Sequence, residues 1–174
     1  MSSHAIHLLT AQQAQQKRDA LVDLLVDSVE GGASVNFMRP MTRAKAERWW
    51  DGALASHARG ERLIFTAEKN GSIDGTVQLI LALPENQSFR ADLAKMLVHS
   101  RARRQGIGAL LMQAAETEAR RIGRTLLTLD TETGSDGERL YLRLGWTKFG
   151  EVPGYAMNAD GEGRQTCSFF YKEL

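Results

Sequence analysis

The segment richest in groups that bind and turn is Arg101-Ala102-Arg103-Arg104-Gln105-Gly106-Ile107-Gly108. It falls where a strand pattern ends and a helix pattern begins. Glycine lets a chain turn tightly and come close to a ligand with no Cβ in the way. The unpaired amides of a helix start carry partial positive charge and hold anionic oxygens, and Arg103 and Arg104 add countercharge. The combination predicts a pyrophosphate site. No Gly-Lys-Ser/Thr marks a nucleoside-triphosphate loop, and no third glycine completes a dinucleotide fingerprint. Glycines also serve plain turns and arginines also decorate surfaces, so the surrounding elements must decide.

Proton-handling groups are sparser. Asp92, Asp130 and Glu132 are candidate carboxylates; one alone is more often a surface group or a helix cap. As a group they describe an acidic entrance suited to an ammonium-bearing substrate. Tyr141 sits in Leu140-Tyr141-x-x-Leu144-Gly145-Trp146, where its ring also suits core packing. His4, His7, His57 and His99 show no metal-ligand spacing, and no metal is expected. Cys167 is the only cysteine, which excludes an intrachain disulfide and a multi-cysteine zinc site. With no base near it in sequence, it reads as a buried thiol rather than a nucleophile.

The elements that position these groups follow from periodicity. A capping box at Thr10 and Gln13 opens a first helix whose apolar face runs through Leu21, Leu24, Leu25 and Val29 to Gly31. A loop, Gly31 to Pro40, precedes a second helix capped by Thr42 and stopped by Gly60. Leu63 to Ala67 and Ile73 to Leu83 read as antiparallel strands around an Asn-Gly turn. A third strand spans Asp92 to Val98, and a helix from Ile107 ends at Gly123. Thr125 to Asp130 is an apolar run typical of a strand covered on both faces. Strand, turn, helix, strand requires a crossover and hence a parallel pair. A short helix, Glu138 to Leu144, and two closing strands, Trp146 to Val152 and Thr166 to Lys172, complete the chain.

Composition narrows the class. The 174 residues are 43% hydrophobic and 25% charged with a net charge of +1, the balance of an ordinary globular chain with no overall field toward nucleic acid or membrane. No leader pattern occurs in Met1 to Ala11 and no stretch reaches membrane-spanning length, so a cytoplasmic location is expected. No repeat or linker divides the chain, and one domain over 1–174 is expected.

The pattern Arg103-x-x-Gly106-x-Gly108, preceded by the strand Met96-Leu97-Val98, resembles the coenzyme A signature of the GNAT superfamily of N-acetyltransferases. The Tyr141 segment is similar to that family's second signature, and the order of elements to Lys172 fits it. The resemblance implies an α/β fold: a mixed, mostly antiparallel sheet with a central parallel strand pair, flanked by helices. It implies acetyl-CoA as cosubstrate, its pyrophosphate on the turn formed by Arg103, Arg104, Gln105, Gly106, Ile107 and Gly108, and its pantetheine arm beside Met96, Leu97 and Val98. The strands Asp92–Val98 and Thr125–Asp130 would splay to admit the thioester. Tyr141 would be the general acid, amides near Leu97 and Val98 the oxyanion donors, and Asp92, Asp130, Glu132 or a bound water chain the base. Many members have Asn seven positions and Ala four positions before the tyrosine; Gly134 and Gly137 stand there in this chain. Ser135 would then supply the missing polar contact to the cosubstrate.

Glu30 to Met38, Leu126 to Ser135 and Glu151 to Tyr155 resemble the tabtoxin-resistance acetyltransferases of plant-pathogenic bacteria, a branch of that superfamily. This implies a small-molecule amine acceptor, amino-acid-like or a β-lactam antimetabolite, met by Phe37, Asp130 and Glu132. Peptides, aminoglycosides and polyamines are alternative acceptors, and a non-catalytic acetyl-CoA-sensing module is an alternative of another class. The closing strands and their aromatics would support a homodimer.

Overall fold

Thr10 Oγ1 accepts the Gln13 N–H while the Gln13 side chain accepts the Thr10 N–H, so the expected capping box opens the first helix. That helix is two. α1 (Ala11–Gln16) ends at Lys17, whose backbone leaves helical geometry, and α2 (Arg18–Glu30) continues to Gly31. Thr42 caps α3 (Arg43–Ala58) by accepting from Lys45 N–H. The computed structural model describes residues 4–174; Met1 to Ser3, part of the segment in which no leader is expected, lie outside them.

The strands are β1 (Ala5–Leu8), β2 (Arg62–Lys69), β3 (Ser72–Ile80), β4 (Arg90–Val98), β5 (Leu126–Glu132), β6 (Thr147–Met157) and β7 (Arg164–Glu173). They form one sheet in the order β1-β2-β3-β4-β5-β7-β6, in which only β4 and β5 run parallel. This is the expected mixed sheet with a central parallel pair. α4 (Ile107–Arg121) makes the crossover, and α5 (Asp136–Arg143) joins β5 to β6.

Each face of the sheet carries its own core. Leu111, Met112, Ala115, Leu127, Tyr141 and Phe170 pack under α4 and α5, and Leu21, Leu24, Leu25, Trp50, Ile64 and Leu97 under α1 to α3. α4 lies close on β3 because residue 75 is glycine: a Cβ there would come within 2.9 Å of Ile107 Cγ2. No helix among the described residues is long and apolar enough to cross a membrane.

Two expectations need correction. β1 was not anticipated; it is a four-residue edge strand, mostly exposed, held by pairing with β2. The closing strand expected to end at Val152 runs on through Pro153-Gly154-Tyr155 to Met157, because β6 is the sheet's edge, where irregular pairing between Val152 and Ala156 accommodates proline.

Candidate active site

The sheet opens between its two central strands. β4 and β5 pair at Arg90↔Leu126, Ala91↔Leu127 and Asp92↔Thr128 and no further, although β4 runs on to Val98 and β5 to Glu132. The expected splay is present. β4 is also bulged: Thr76 faces Leu97 and Gln78 faces Ala94, so Lys95 and Met96 share the place opposite Val77. Lys95 takes φ 51°, the left-handed region. A bulge of this kind bends a strand and re-aims its backbone groups, here along the edge that faces the gap.

The predicted phosphate turn follows β4. A 3-10 turn, Ser100–Ala102, leads to Arg104 at φ 63° and Gly106 at φ 79°. Asp27 of α2 accepts from the Ser100 N–H at 2.8 Å and the Ser100 hydroxyl at 2.6 Å, fixing the turn to the neighbouring helix. Arg101 bonds Asp74 at 2.8 Å, fixing it to β3. α4 starts without a side-chain cap, and among the described residues no backbone acceptor pairs with the amides of Gln105 to Gly108. Arg103, Arg104, Gln105 and Gly106 are exposed, whereas the Ile107 side chain is core and offers only its amide. The two glycines differ in purpose. Gly106 has open space around it and is required for its positive φ. Gly108 leaves room for Leu140, since a Cβ there would lie 2.8 Å from Leu140 Cδ2 and 3.6 Å from Met96 Sδ.

That contact sets α5 against the first turn of α4, with Tyr141 next to Leu140. Tyr141 is 6% exposed, its ring packed 6.1 Å from Trp146 and 6.0 Å from Phe170. Burial and then the Asp130 charge raise its pKa above that of a free phenol, and no hydrogen bond offsets them. The phenol therefore keeps its proton at neutral pH. Ser135 is the N-cap of α5, accepting from Glu138 N–H, with Thr131 Oγ1 3.2 Å away. The Glu138 carboxylate is held near pKa about 2 by Lys148, the Gly134 N–H and the Ser168 hydroxyl. Trp146 Nε1 and Lys172 Nζ both donate to Glu116 of α4, at 2.9 and 2.8 Å. α5 is thus braced from beneath.

On the other face of the sheet, Asp130 is exposed near the end of β5. The Cys167 thiol points at its Oδ2 from 3.5 Å, so a carboxylate does stand beside the cysteine, contrary to the reading from sequence distance. Burial and Asp130 push the thiol up to about 12, which makes it a donor rather than a nucleophile. Glu132, partly buried, faces Cys167 across the β5–β7 ladder. Asp92 lies at the fork itself, bonded by Arg90 and Thr128. Phe37 stands edge-on to Trp49 at 5.7 Å and, with Ser34, Asn36, Met38, Ala156 and Met157, lines a cavity of about 210 Å³. The structure thus brings Phe37, Asp130 and Glu132 to one face of the sheet and buries Tyr141 in the core of the other.

Sequence reasoning missed Lys95 and the exposed side of Trp49. The Lys95 ammonium lies 5.4 Å from the Phe37 ring centre and 5.5 Å from that of Trp49. Its signal in sequence was a lone lysine inside the apolar run Leu93 to Val98.

Residues 60–148 match the family model for the acetyltransferase (GNAT) domain. An uncharacterized N-acetyltransferase of Azospirillum brasilense, from the hisH–hisA intergenic region, is 34% identical over 112 residues. That match covers 63% of this chain and 65% of the relative, just under two thirds of its length. Among solved structures, a ribosomal-protein-alanine N-acetyltransferase from Brucella melitensis superposes with a TM-score of 0.80 at 23% identity, covering 98% of this chain and 99% of that one. A Salmonella typhimurium acetyltransferase solved with its cofactor acetyl-CoA superposes with a TM-score of 0.79 at 19% identity, covering 99% and 95%. At these identities the structural likeness is one of fold.

Proposed function

The chain belongs to the GNAT acetyltransferase family, whose domain model matches residues 60–148, and from that premise we propose that it transfers an acetyl group from acetyl-CoA to the amine of a small molecule. The observation that carries the reading is the gap left where β4 and β5 stop pairing after Asp92 and Thr128; to it we assign Tyr141, buried on one face of the sheet, and Asp130, exposed on the other. The unpaired amides of Gln105 to Gly108, the exposed Arg103 and Arg104 and the open space at Gly106 fit a pyrophosphate. Met96, Leu97 and Val98 line the β4 side of the gap, where an extended pantetheine arm fits.

The chemistry divides among this chain's own groups. Asp130 accepts a proton from the incoming ammonium, and the freed amine nitrogen forms the new C–N bond at the thioester carbon. Backbone amides near Leu97 and Val98 hold the carbonyl oxygen as negative charge develops. Tyr141 gives its proton to the sulfur as the C–S bond breaks; the second proton shed by the acylated nitrogen passes to solvent, which reprotonates the phenol, and Asp130 releases the first one to solvent. Because burial makes this phenol a weaker acid than free tyrosine, donation depends on its position against the departing sulfur and occurs as the thiolate forms. We assign Asp92 to holding the fork, since Arg90 and Thr128 both donate to its Oδ1.

On the acceptor side, Phe37, Asp130 and Glu132 with the adjoining small cavity favour a compact, amino-acid-like amine. A β-lactam antimetabolite, and with it a role in toxin or antibiotic resistance, is the specific form of this reading. The lone, buried Cys167 is consistent with work in the cytoplasm, and the exposed Phe149 and Tyr155 on β6 support a homodimer.

The test is purified protein with acetyl-CoA against amino acids, dipeptides, β-lactam antimetabolites, aminoglycosides and polyamines, with free thiol and acetylated product both measured. Product with amino-acid-like amines is expected. Product only with peptides, aminoglycosides or polyamines would move the acceptor assignment, and acetyl-CoA binding with no product from any amine would favour a sensor.

A further inference from the structure

Lys95 is an unusual residue to find where it is. Its ammonium is covered by the Phe37 and Trp49 rings, with centroids 5.4 and 5.5 Å away, and its backbone is left-handed at φ 51°. A non-glycine residue in that region is strained, and a lysine charge withdrawn from water without a direct partner is costly. The aromatic faces return part of this by cation–π attraction. The fold itself does not require a charge there, since the position is in a strand whose neighbours Leu93, Met96 and Leu97 are apolar core groups.

The charges around Lys95 are arranged by sign. Arg62 lies near enough to lower its pKa and Asp130 near enough to raise it, yet neither hydrogen-bonds to it. Arg62 is itself held by Ser56 and Gln78. Lys45 covers the same Phe37 ring at 5.8 Å. Cations therefore line the side of the cleft built from β2, α3 and the β4 bulge, and Asp130 with Glu132 lines the side built from β5. Lys95, with three N–H donors and no acceptor, suits an anionic oxygen.

We propose that Lys95 and Asp130 together read a zwitterionic acceptor, the Lys95 ammonium binding a carboxylate carried beside the amine that Asp130 receives. This rests on the acetyltransferase reading and narrows its substrate class to amines bearing a nearby carboxylate. Lys95 is a specificity residue: it binds the acceptor and takes no part in bond making. Phe37 and Trp49 hold its side chain in place and keep water from competing.

The experiment compares matched acceptors, amino acids with their primary amides and with the amines lacking the carboxyl group, for wild type, Lys95→Gln and Lys95→Arg. Wild type is expected to favour the free acids in kcat/KM by about 10–100-fold, the range of a charge-assisted hydrogen bond. Lys95→Gln is expected to collapse that ratio toward one through KM for the acids, with acetyl-CoA affinity unchanged, and Lys95→Arg to restore part of it. Equal turnover of acids and amides by wild type, or an undiminished ratio in Lys95→Gln, would overturn the assignment while leaving the acetyltransferase reading intact. Absence of any product would fall on the acetyltransferase reading instead. Calorimetric binding of N-acetylated acids against N-acetylated amides then decides on Lys95 without turnover: preference for the acids, lost in Lys95→Gln, supports it, and equal binding contradicts it.

Discussion

Thr128 donates its hydroxyl to Asp92 at the last position where β4 and β5 still pair. Arg90 donates to the same carboxylate oxygen and to Thr128 Oγ1, the latter at 2.7 Å. The three side chains close the fork from which the cleft widens.

If this cluster holds the fork, Thr128→Val should lower stability by about 0.5–1.5 kcal/mol, the net worth of a hydrogen bond. Asp92→Asn should lower kcat by less than about tenfold, whereas Asp130→Asn should lower kcat/KM for the acceptor by about 10²–10⁴-fold and leave acetyl-CoA affinity intact. Urea denaturation checks the first, and steady-state kinetics with calorimetry of acetyl-CoA checks the other two; a larger kcat loss in Asp92→Asn than in Asp130→Asn would exchange the two roles.

Acetyl-CoA should bind much more tightly than a pantetheine analogue lacking the pyrophosphate. Gly106→Val puts a β-branched residue at φ 79°, a strain of about 1–2 kcal/mol even with open space around it. Acetyl-CoA affinity should fall in this variant while affinity for the short analogue changes little. Calorimetry with both ligands separates a lost phosphate contact from general damage.

Much of this site was legible in the sequence. Gly106 and the arginines before it marked the turn, because a left-handed turn into an uncapped helix leaves few alternatives to glycine. The order of periodic segments required the parallel pair. What sequence could not show is the meeting of groups from distant elements. Lys95 of β4, Phe37 of a loop and Trp49 of α3 converge only through tertiary packing, and no local preference announces a lysine at positive φ. Asp130 and Cys167 are likewise joined by strand pairing, which brings positions far apart in the chain to 3.5 Å. β1 escaped notice because a four-residue edge strand offers too short an alternation.

The brace under α5 should show in acid. Lys148, joined by the Gly134 N–H and Ser168, holds Glu138 near about 2, below its usual 4.5. A carboxylate with a depressed folded-state pKa contributes stability that is complete above about 4.5 and lost as pH falls toward 2. Glu138→Gln should therefore be less stable than wild type at pH 7, and the gap should narrow steadily between those two values. Urea denaturation across that range measures it; a gap independent of pH would contradict the assignment.

Lys95 should impose its own pH dependence on acceptor choice. Burial lowers its pKa to about 8, with Asp130 of β5 opposing and Arg62 of β2 assisting. Lys45 of α3 shares its ring and Asp92 of β4 is engaged by Arg90. The side chain is charged below that value and neutral above it, so the preference for acids over amides should decline as pH rises through about 8. Calorimetric affinities for N-acetylated acids against N-acetylated amides, measured from pH 6.5 to about 9.5, test this, since neither ligand carries a titrating amine. In Lys95→Gln the decline should vanish.

On the proposed mechanism, acetyl transfer takes place in the gap beside Tyr141 with its phenol as proton donor to the sulfur. Tyr141→Phe keeps the ring that packs on Trp146 and Phe170 and removes only the hydroxyl. Single-turnover transfer from acetyl-CoA to the best acceptor, followed by rapid quench for wild type and Tyr141→Phe, isolates the chemical step from product release. The variant is expected to fold, to bind acetyl-CoA as tightly as wild type and to transfer acetyl about 10²–10⁴-fold more slowly. Near-equal single-turnover rates would contradict this mechanism and leave Tyr141 as a packing residue of α5.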